Sequence, residues 1–557
     1  MTTTSRTGAH PLPHVTHEVL NQAPPREDVD ELATNPVLVE AVRRHGAEWA
    51  LHELGTVGRL VGSRSFQDDA ATANTQTPTL RAFDRHGRRV DEVDYHPAYH
   101  RIIREAVAHG AHTSAWADPR HGANVARAAA FMLFSQVEPG HACPVSMTHA
   151  AVPTLMLQAD VAEQWVPRLL SREYDPELGD GAKASAILGM AMTEKQGGSD
   201  VRANTTTAVP TGAGGSGGEY LLTGHKWFCS APMSDAFLVL AQATGAAGEG
   251  LSCFLLPRVL PDGTRNVFRI QRLKDKLGNR ANASSEIELD GSVALMVGEP
   301  GRGVRTIIEM VNRTRLDCVL GSAAGMRQSV AEAVWHARHR AAFGRLLVDQ
   351  PAMAAVLADL ALESEAATVT SAWLAAVHDD DAPLRRLATA VAKYWICKRG
   401  PHHSYEALEC LGGNGYTEDF PLARRYREQP VMAVWEGSGN VIALDVLRAL
   451  DREPESFVAF DHELSLAEGH HPVLDAHVED VRAQVRAIAA AGPDEAQRGA
   501  RRLVESMALA LQASLLTRFS PSTVSEAFVA ARLGEQRGHE YGVLPHGTDV
   551  EAILARH

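Results

Sequence analysis

Glu436 lies in VWEGSGNV, residues 434–441, between Trp435 and a Gly-Ser-Gly turn that runs into an apolar helix. A surface glutamate needs no such setting, whereas a general base does. Burial beside an indole would raise the carboxyl pKa and make the group more basic, while the N-terminus of the following helix would lower it. Ser438 or Asn440 could cap that helix, whose apolar stripe includes Ile442, Val446 and Leu450.

Four further stretches carry residue types that could hold a ligand. MTEKQGGSDV, residues 192–201, offers Thr193 and Ser199 as hydrogen-bonding groups for a planar heterocycle beside two glycines that permit close backbone approach, although a plain turn accounts for it equally well. GHKWFCS sets Trp227 and Phe228 beside Ser230, either to fill a β-core or to wall a flat ring system. RHRAAFGRLLVDQPAM places Arg340, Phe343 and Gln350 between two helices. An arginine there could grip a pyrophosphate by paired hydrogen bonds, or simply end a helix at the surface. LECLGGNGYTED interrupts helical sequence with Gly412 and Gly413, which either ends a helix or brings backbone against a ligand.

Other patterns carry less. GAGGSGG, residues 212–218, contains a formal GxGxxG, but strand-like EYLLTGHKW follows it, so it reads as a loop between strands and not as a dinucleotide fingerprint. His336 with His339, and His402 with His403, lack a carboxylate at zincin spacing, and no metal site is expected. No GxSxG stands at a strand-to-helix elbow, and no cysteine has an evident base partner.

The elements that must position these residues follow from periodicity. Residues 36–158 carry apolar residues at three- and four-residue steps and read as a helical lobe, with the polar stretch 62–96 as an excursion over its surface. From about residue 187 short β-type runs such as EYLLTGHKWFCS, DAFLVLAQA and LSCFLLPRV are punctuated by Gly, Asn and Asp. The helical period returns near residue 301 in segments long enough for a bundle. After Leu450 a linker-like composition precedes a seam of Leu474, Val478, Val481, Val485 and Ile488, the apolar edge of an amphipathic helix.

The totals agree with a multidomain enzyme. At 557 residues, 45% hydrophobic and 22% charged, the chain is too long for one small core and ordinary for a globular protein. A formal net charge of -14 disfavours indiscriminate attraction to nucleic acid or anionic lipid. Six scattered cysteines without a CxxC pair suggest neither a zinc module nor a disulfide framework, and fit a reducing cytoplasm. The N-terminal stretch MTTTSRTGAHPLPHVTH has no apolar targeting core, and no apolar run reaches the roughly 20 residues of a membrane span.

Taken in this order, the five stretches resemble the acyl-CoA dehydrogenase family, and MTEKQGGSDV, GHKWFCS and WEGSGN are similar to the forms used by its AidB-like, alkylation-response branch. The resemblance implies a multidomain α+β fold: an N-terminal helical domain (1–186), a middle β-domain (187–300), a C-terminal four-helix bundle (301–450) and an additional helical tail domain (451–557). It implies FAD between the middle domain and the bundle, across a subunit boundary of a homotetramer. Carried over residue by residue, Met192, Thr193 and Ser199 line the flavin, and Trp227, Phe228 and Ser230 stand by its ring. Arg340, Phe343, Gln350, Gly412 and Gly413 approach the dinucleotide of a neighbouring subunit, and Asn440 reaches it as well.

Glu436 matches the family's catalytic base, which removes an acyl-CoA α-proton while flavin N5 accepts hydride from Cβ. Arg315, in NRTRLD, resembles an active-site arginine that steadies the base's charge. Trp435, a bulkier group that narrows the acyl pocket, stands where the family usually has Tyr. With Glu436 in the base position, the resemblance implies oxidation of a short or branched acyl-CoA with an electron acceptor as partner. The branch also suggests an alternative, a flavoprotein of the alkylation stress response that binds DNA or intercepts alkylating agents with little turnover. Residues 451–557 contain no lysine and more acidic residues than arginines, which disfavours DNA, although Arg482, Arg486, Arg498, Arg501 and Arg502 could form a local patch. Flavin monooxygenases on the same fold usually dispense with the glutamate, so Glu436 counts against that third reading.

Overall fold

The computed structural model describes residues 16–179, 183–380 and 382–557. Most of the N-terminal stretch judged above to lack a targeting core therefore lies outside the described residues. The first lobe is helical, from Pro36–Arg44 to Ala159–Leu169. Asn35 opens it by accepting from Leu38 N at 3.2 Å ahead of Pro36, a side-chain cap joined to a proline that needs no donor. The Ala142–Leu155 helix is buried along its length except at Pro153, its few polar residues Ser146, Thr148, His149 and Thr154 included, as expected of a helix packed on every face.

The polar stretch 62–96 is more ordered than a surface excursion. It holds the Arg64–Thr75 helix and a hairpin of β1 (Thr79–Phe83) and β2 (Arg89–Asp94). In β2, Asp91 and Val93 are buried because Asp91 accepts from Ile270 N at 2.8 Å, joining the hairpin to the next domain. Charged residues on the outer strand positions hid this pairing.

The middle domain contains β3 (Leu188–Ala191), β4 (Thr207–Pro210), β5 (Glu219–Ser230), β6 (Ala236–Ala243), β7 (Gly250–Pro257), β8 (Arg269–Leu273) and β9 (Ser284–Val297). Strands β6, β4, β5, β9 and β7 pair in a closed ring, with β3 and β8 added at its sides. Tyr220, Leu222, Phe237, Val239, Phe254 and Met296 fill its interior. The glycine-rich stretch 212–218 is the connection between β4 and β5, as expected.

The bundle is built from Gly303–His339, Pro351–Asp380 and Ala382–Glu409, followed by the shorter Pro421–Met432 and Gly439–Arg452 helices. Arg127 and Arg425 are among the residues that join it to the first lobe. Arg127 forms a bidentate pair with Asp317, its Nη2 2.9 Å from Oδ2, with both side chains almost wholly buried. Arg425 donates to the Gln136 and Val137 carbonyls at the end of the Ala123–Ser135 helix. The tail helices, among them Pro472–Ala490 and Pro493–Phe519, share one core with the bundle: Leu503, Val504 and Met507 pack in the same cluster as Leu357 and Leu360. On Pro472–Ala490 the residues Leu474, Val478 and Val481 are buried, while Val485 and Ile488 pack at the edge of that cluster. Among the described residues no helix is long and apolar enough to cross a membrane.

Candidate active site

Glu436 occupies the short connection between the Pro421–Met432 and Gly439–Arg452 helices. Its φ is +57°, a left-handed conformation that costs a non-glycine residue about 1–2 kcal/mol, and Gly437 follows at φ +109°. Two buried cations hold this backbone. Lys393 Nζ donates to the Trp435 carbonyl at 3.0 Å and to the Gly437 carbonyl at 2.5 Å. Arg315 Nε donates to the carbonyl of Glu436 itself at 3.1 Å. Three successive carbonyls are thus fastened from below, and the conformation is over-determined in the way a strained functional residue requires.

The carboxylate is partly buried and accepts a 2.7 Å hydrogen bond from Thr314 Oγ1 at Oε2. Burial pushes its pKa above the usual carboxylate range, and Thr314, Arg315 and Lys393 offset part of that rise. Arg315 sits behind the base and does not bond its carboxylate. Its guanidinium is committed to the Glu436 main chain and to Asp445, 2.7 Å from Nη1, so it acts on the carboxylate through the field alone while Thr314 supplies the hydrogen bond. Asp445 also takes Arg386 and Arg448; burial opposes its ionisation, yet Arg315 and Arg386 hold it low. Ser438 stands at the N-cap position without a side-chain cap bond, and Asn440 is exposed in the first turn.

Sequence reasoning passed over Thr314, Lys393 and Asp445. Thr314 adjoins Arg315 in NRTRLD, and Lys393 is the lone cation in LATAVAKYWIC, a signal of a buried charge with a specific partner. A second omission is Glu194. Its carboxylate accepts from Lys226 Nζ and Thr206 Oγ1, each at 2.7 Å, and from Thr205 N at 2.7 Å, with the side chains of Glu194 and Lys226 wholly buried. Together with Trp227 N donating to the Thr193 carbonyl at 2.8 Å, this joins the MTEKQGG turn to the GHKWF strand.

A bulge then sets the aromatic pair. Between Lys226 and Cys229 the register on β5 advances three residues against two on β9, so Lys226 and Cys229 both point inward while Trp227 and Phe228 both remain outside. Phe228 is 50% exposed. Trp227 carries the Lys274 ammonium 3.1 Å from its ring centroid. Ser230 Oγ lies 3.0 Å from Ser284 Oγ, Met192 and Trp435 both pack at the edge of the cluster that includes Met147 and Met310, and Ser199 is exposed.

The remaining residues have local partners. Arg340 donates to the Asn21 carbonyl at 2.9 Å and Gln350 to the Ala342 carbonyl at 2.9 Å. Phe343 is wholly exposed at φ +51° in the turn between β10 (Ala341–Ala342) and β11 (Arg345–Leu346). Gly412 has φ +61°, and a Cβ at Gly412 or Gly413 would meet nothing within 4 Å. In the tail, Arg482 is paired by Asp461 and Glu479, and Arg498 by Glu495, so carboxylates already neutralise part of the candidate basic patch.

Residues 21–176 match the family described as adaptive response protein AidB N-terminal domain, 189–292 the acyl-CoA dehydrogenase middle domain and 301–450 the acyl-CoA dehydrogenase C-terminal domain. The chain is 44% identical over 479 residues to the putative acyl-CoA dehydrogenase AidB of Escherichia coli (strain K12), covering 85% of this chain and 87% of that one. The chain belongs to the acyl-CoA dehydrogenase family. Its fold is similar to that of Caenorhabditis elegans ACDH-11 in complex with C11-CoA, with TM-score 0.82, 26% identity, and 99% and 95% of the two chains covered. The apo form of Bd2924 superposes with TM-score 0.81 at 28% identity, over 90% of this chain and 99% of that one.

Acyl-CoA dehydrogenase family members are flavoprotein oxidoreductases acting on CH–CH donors, and FAD is the cofactor of this chain. The residues fit the group. The Phe228 ring faces outward, the glycine pair 412–413 leaves open space beside its backbone, and the buried indole Nε1 of Trp435 has no partner within the protein.

Proposed function

We propose that the protein oxidises a short or branched acyl-CoA thioester, with Glu436 as the base that removes the Cα proton. One observation carries this reading: a partly buried carboxylate, held in a left-handed conformation by Lys393 and Arg315 and oriented by Thr314 Oγ1. A base must be ionised before it acts, and it must be strong. Burial supplies the basicity, while Thr314 and the two cations keep the ionised form accessible. The proton moves from Cα to the Glu436 carboxylate. FAD supplies the acceptor for the hydride that leaves Cβ.

In this reading Met192, Thr193, Ser199, Trp227, Phe228 and Ser230 form the side of the site that receives the flavin. Arg340, Phe343, Gln350, Gly412, Gly413 and Asn440 serve the dinucleotide in a homotetramer. Phe343, wholly exposed at a hairpin tip in a left-handed conformation that costs a non-glycine residue about 1–2 kcal/mol, is in this reading buried against the neighbouring subunit. Trp435 packs against a cluster that includes Met147 and Met310, a wall that suits a compact acyl group.

Anaerobic titration of the yellow, FAD-loaded protein with acyl-CoAs of varied length and branching tests the proposal. Bleaching by a short or branched thioester, lost in Glu436→Gln with FAD absorbance retained, is the expected result. Retained FAD that no thioester bleaches would overturn it.

A further inference from the structure

A cavity of about 290 Å³ lies between the β1–β2 hairpin, the Pro97–Ala108 helix, the connection after residue 170 and the turn ahead of β6. Neither Glu436 nor any residue that bonds it lines this cavity. Its walls are aromatic: Tyr95 and Tyr99 stack at 4.5 Å, and His100 meets Tyr174 through a 2.9 Å hydrogen bond. Its charge is unbalanced, since five carboxylates and two guanidinium groups face it.

The pairing of those charges is uneven. Glu92 is bonded by both Arg81 and Arg265, and Asp94 lies 3.3 Å from Arg81. Asp235 accepts from Lys183 Nζ at 2.8 Å and from Ile187 N at 2.9 Å. No ion pair among the described residues engages the Asp175 or Glu177 carboxylate; Asp175 Oδ1 accepts from Glu177 N at 3.0 Å, and the Lys183 ammonium reaches only the Glu177 carbonyl, at 2.8 Å. Ser234, only 2% exposed, is among the lining residues, and its buried Oγ has no hydrogen-bond partner within the protein.

We propose that this cavity is a binding site for a small organic ammonium ion of the diamine or polyamine class. Aromatic faces attract a desolvated cation, and the Arg104 guanidinium already stands 6.0 Å from the Tyr174 ring centroid. The methylene stem packs on the Tyr95–Tyr99 pair, while the nitrogen protons are accepted by Asp175, Glu177 and Ser234 Oγ. An anion is repelled by the excess of carboxylates, and a neutral molecule leaves their charge uncompensated. The volume stands at the lower end of small-ligand sites, about 300–1,000 Å³, and suits a linear amine better than a nucleotide.

Isothermal titration of spermidine into the FAD-loaded full chain at near-physiological salt tests the site. Saturable one-site binding is expected, weakened roughly tenfold in Asp175→Asn/Glu177→Gln and measurably in Ser234→Ala, with 1,8-octanediol giving no saturable heat. The tail variant Glu455→Gln/Glu468→Gln removes two exposed charges elsewhere and retains full affinity. Because Asp175 and Glu177 are exposed, the double variant folds, and thermal melts verify this. Absence of saturable binding overturns the proposal. So does equal weakening in the tail control, or binding indifferent to all the cavity substitutions.

Discussion

Thr314 Oγ1 donates to Glu436 Oε2 across 2.7 Å, while the adjacent Arg315 holds the carbonyl of the same glutamate at 3.1 Å. Neighbouring residues on one long helix thus serve two ends of one residue, the side chain for its charge and the main chain for its direction.

Removing the hydroxyl isolates its share. Glu436 acts only when ionised, and the Thr314 hydrogen bond favours the ionised form against burial. Thr314→Val therefore raises the carboxyl pKa further, so activity is lost at a higher pH on the acid side. A hydrogen bond to a charged group is worth about 1.5–3 kcal/mol, so the acid limb of anaerobic flavin reduction should move up by about one to two pH units. An unmoved limb would remove Thr314 from this role.

Lys393 is tested through rate and not through affinity. Lys393→Met keeps bulk but releases the Trp435 and Gly437 carbonyls, and Glu436 is freed to leave its left-handed conformation. The limiting rate of flavin reduction should fall by up to about a hundredfold with little change in KM and with bound FAD retained. Stopped-flow reduction at saturating acyl-CoA separates the two quantities.

Glu194 gives a stability prediction with a defined sign. Burial works against its ionisation, but Lys226, Thr206 and Thr205 hold its carboxyl far below the model-compound value of 4.5. A carboxyl depressed in the folded state stabilises above its unfolded pKa, and that contribution fades as pH falls toward the folded value. Glu194→Gln leaves Lys226 buried and unpaired, at a cost of about 3–5 kcal/mol near pH 7. Urea unfolding should show the gap to the parent narrowing below pH 4.5.

Phe343 separates assembly from folding. Phe343→Gly relieves a positive φ and removes no intrachain burial, so each subunit should unfold at the same urea concentration or slightly higher. Sedimentation should nevertheless show a weaker assembly. An unchanged sedimentation profile would place the subunit contact elsewhere.

Much of the fold was legible because apolar period marks helix and strand directly. The change near residue 187, the return near 301 and the seam from Leu474 to Val481 all correspond to elements in the structure. The β1–β2 hairpin was not legible, since RVDEVD looks like loop until Asp91 meets the Ile270 amide far along the chain. The position of Glu436 was readable from its glycine-rich setting, but its support was not. Lys393 and Thr314 reach it across long sequence separations, and local pattern is silent about such contacts. The bulge at Trp227 and Phe228 is hidden for the same reason, because it exists only in the register against β9.

The Arg127–Asp317 pair sets a limit on how a substrate arrives. Parting the first lobe from the bundle would break this buried bidentate pair together with the Arg425 bonds to the Gln136 and Val137 carbonyls. Any wide separation of the two lobes has to break these contacts first, so they act as a latch between them.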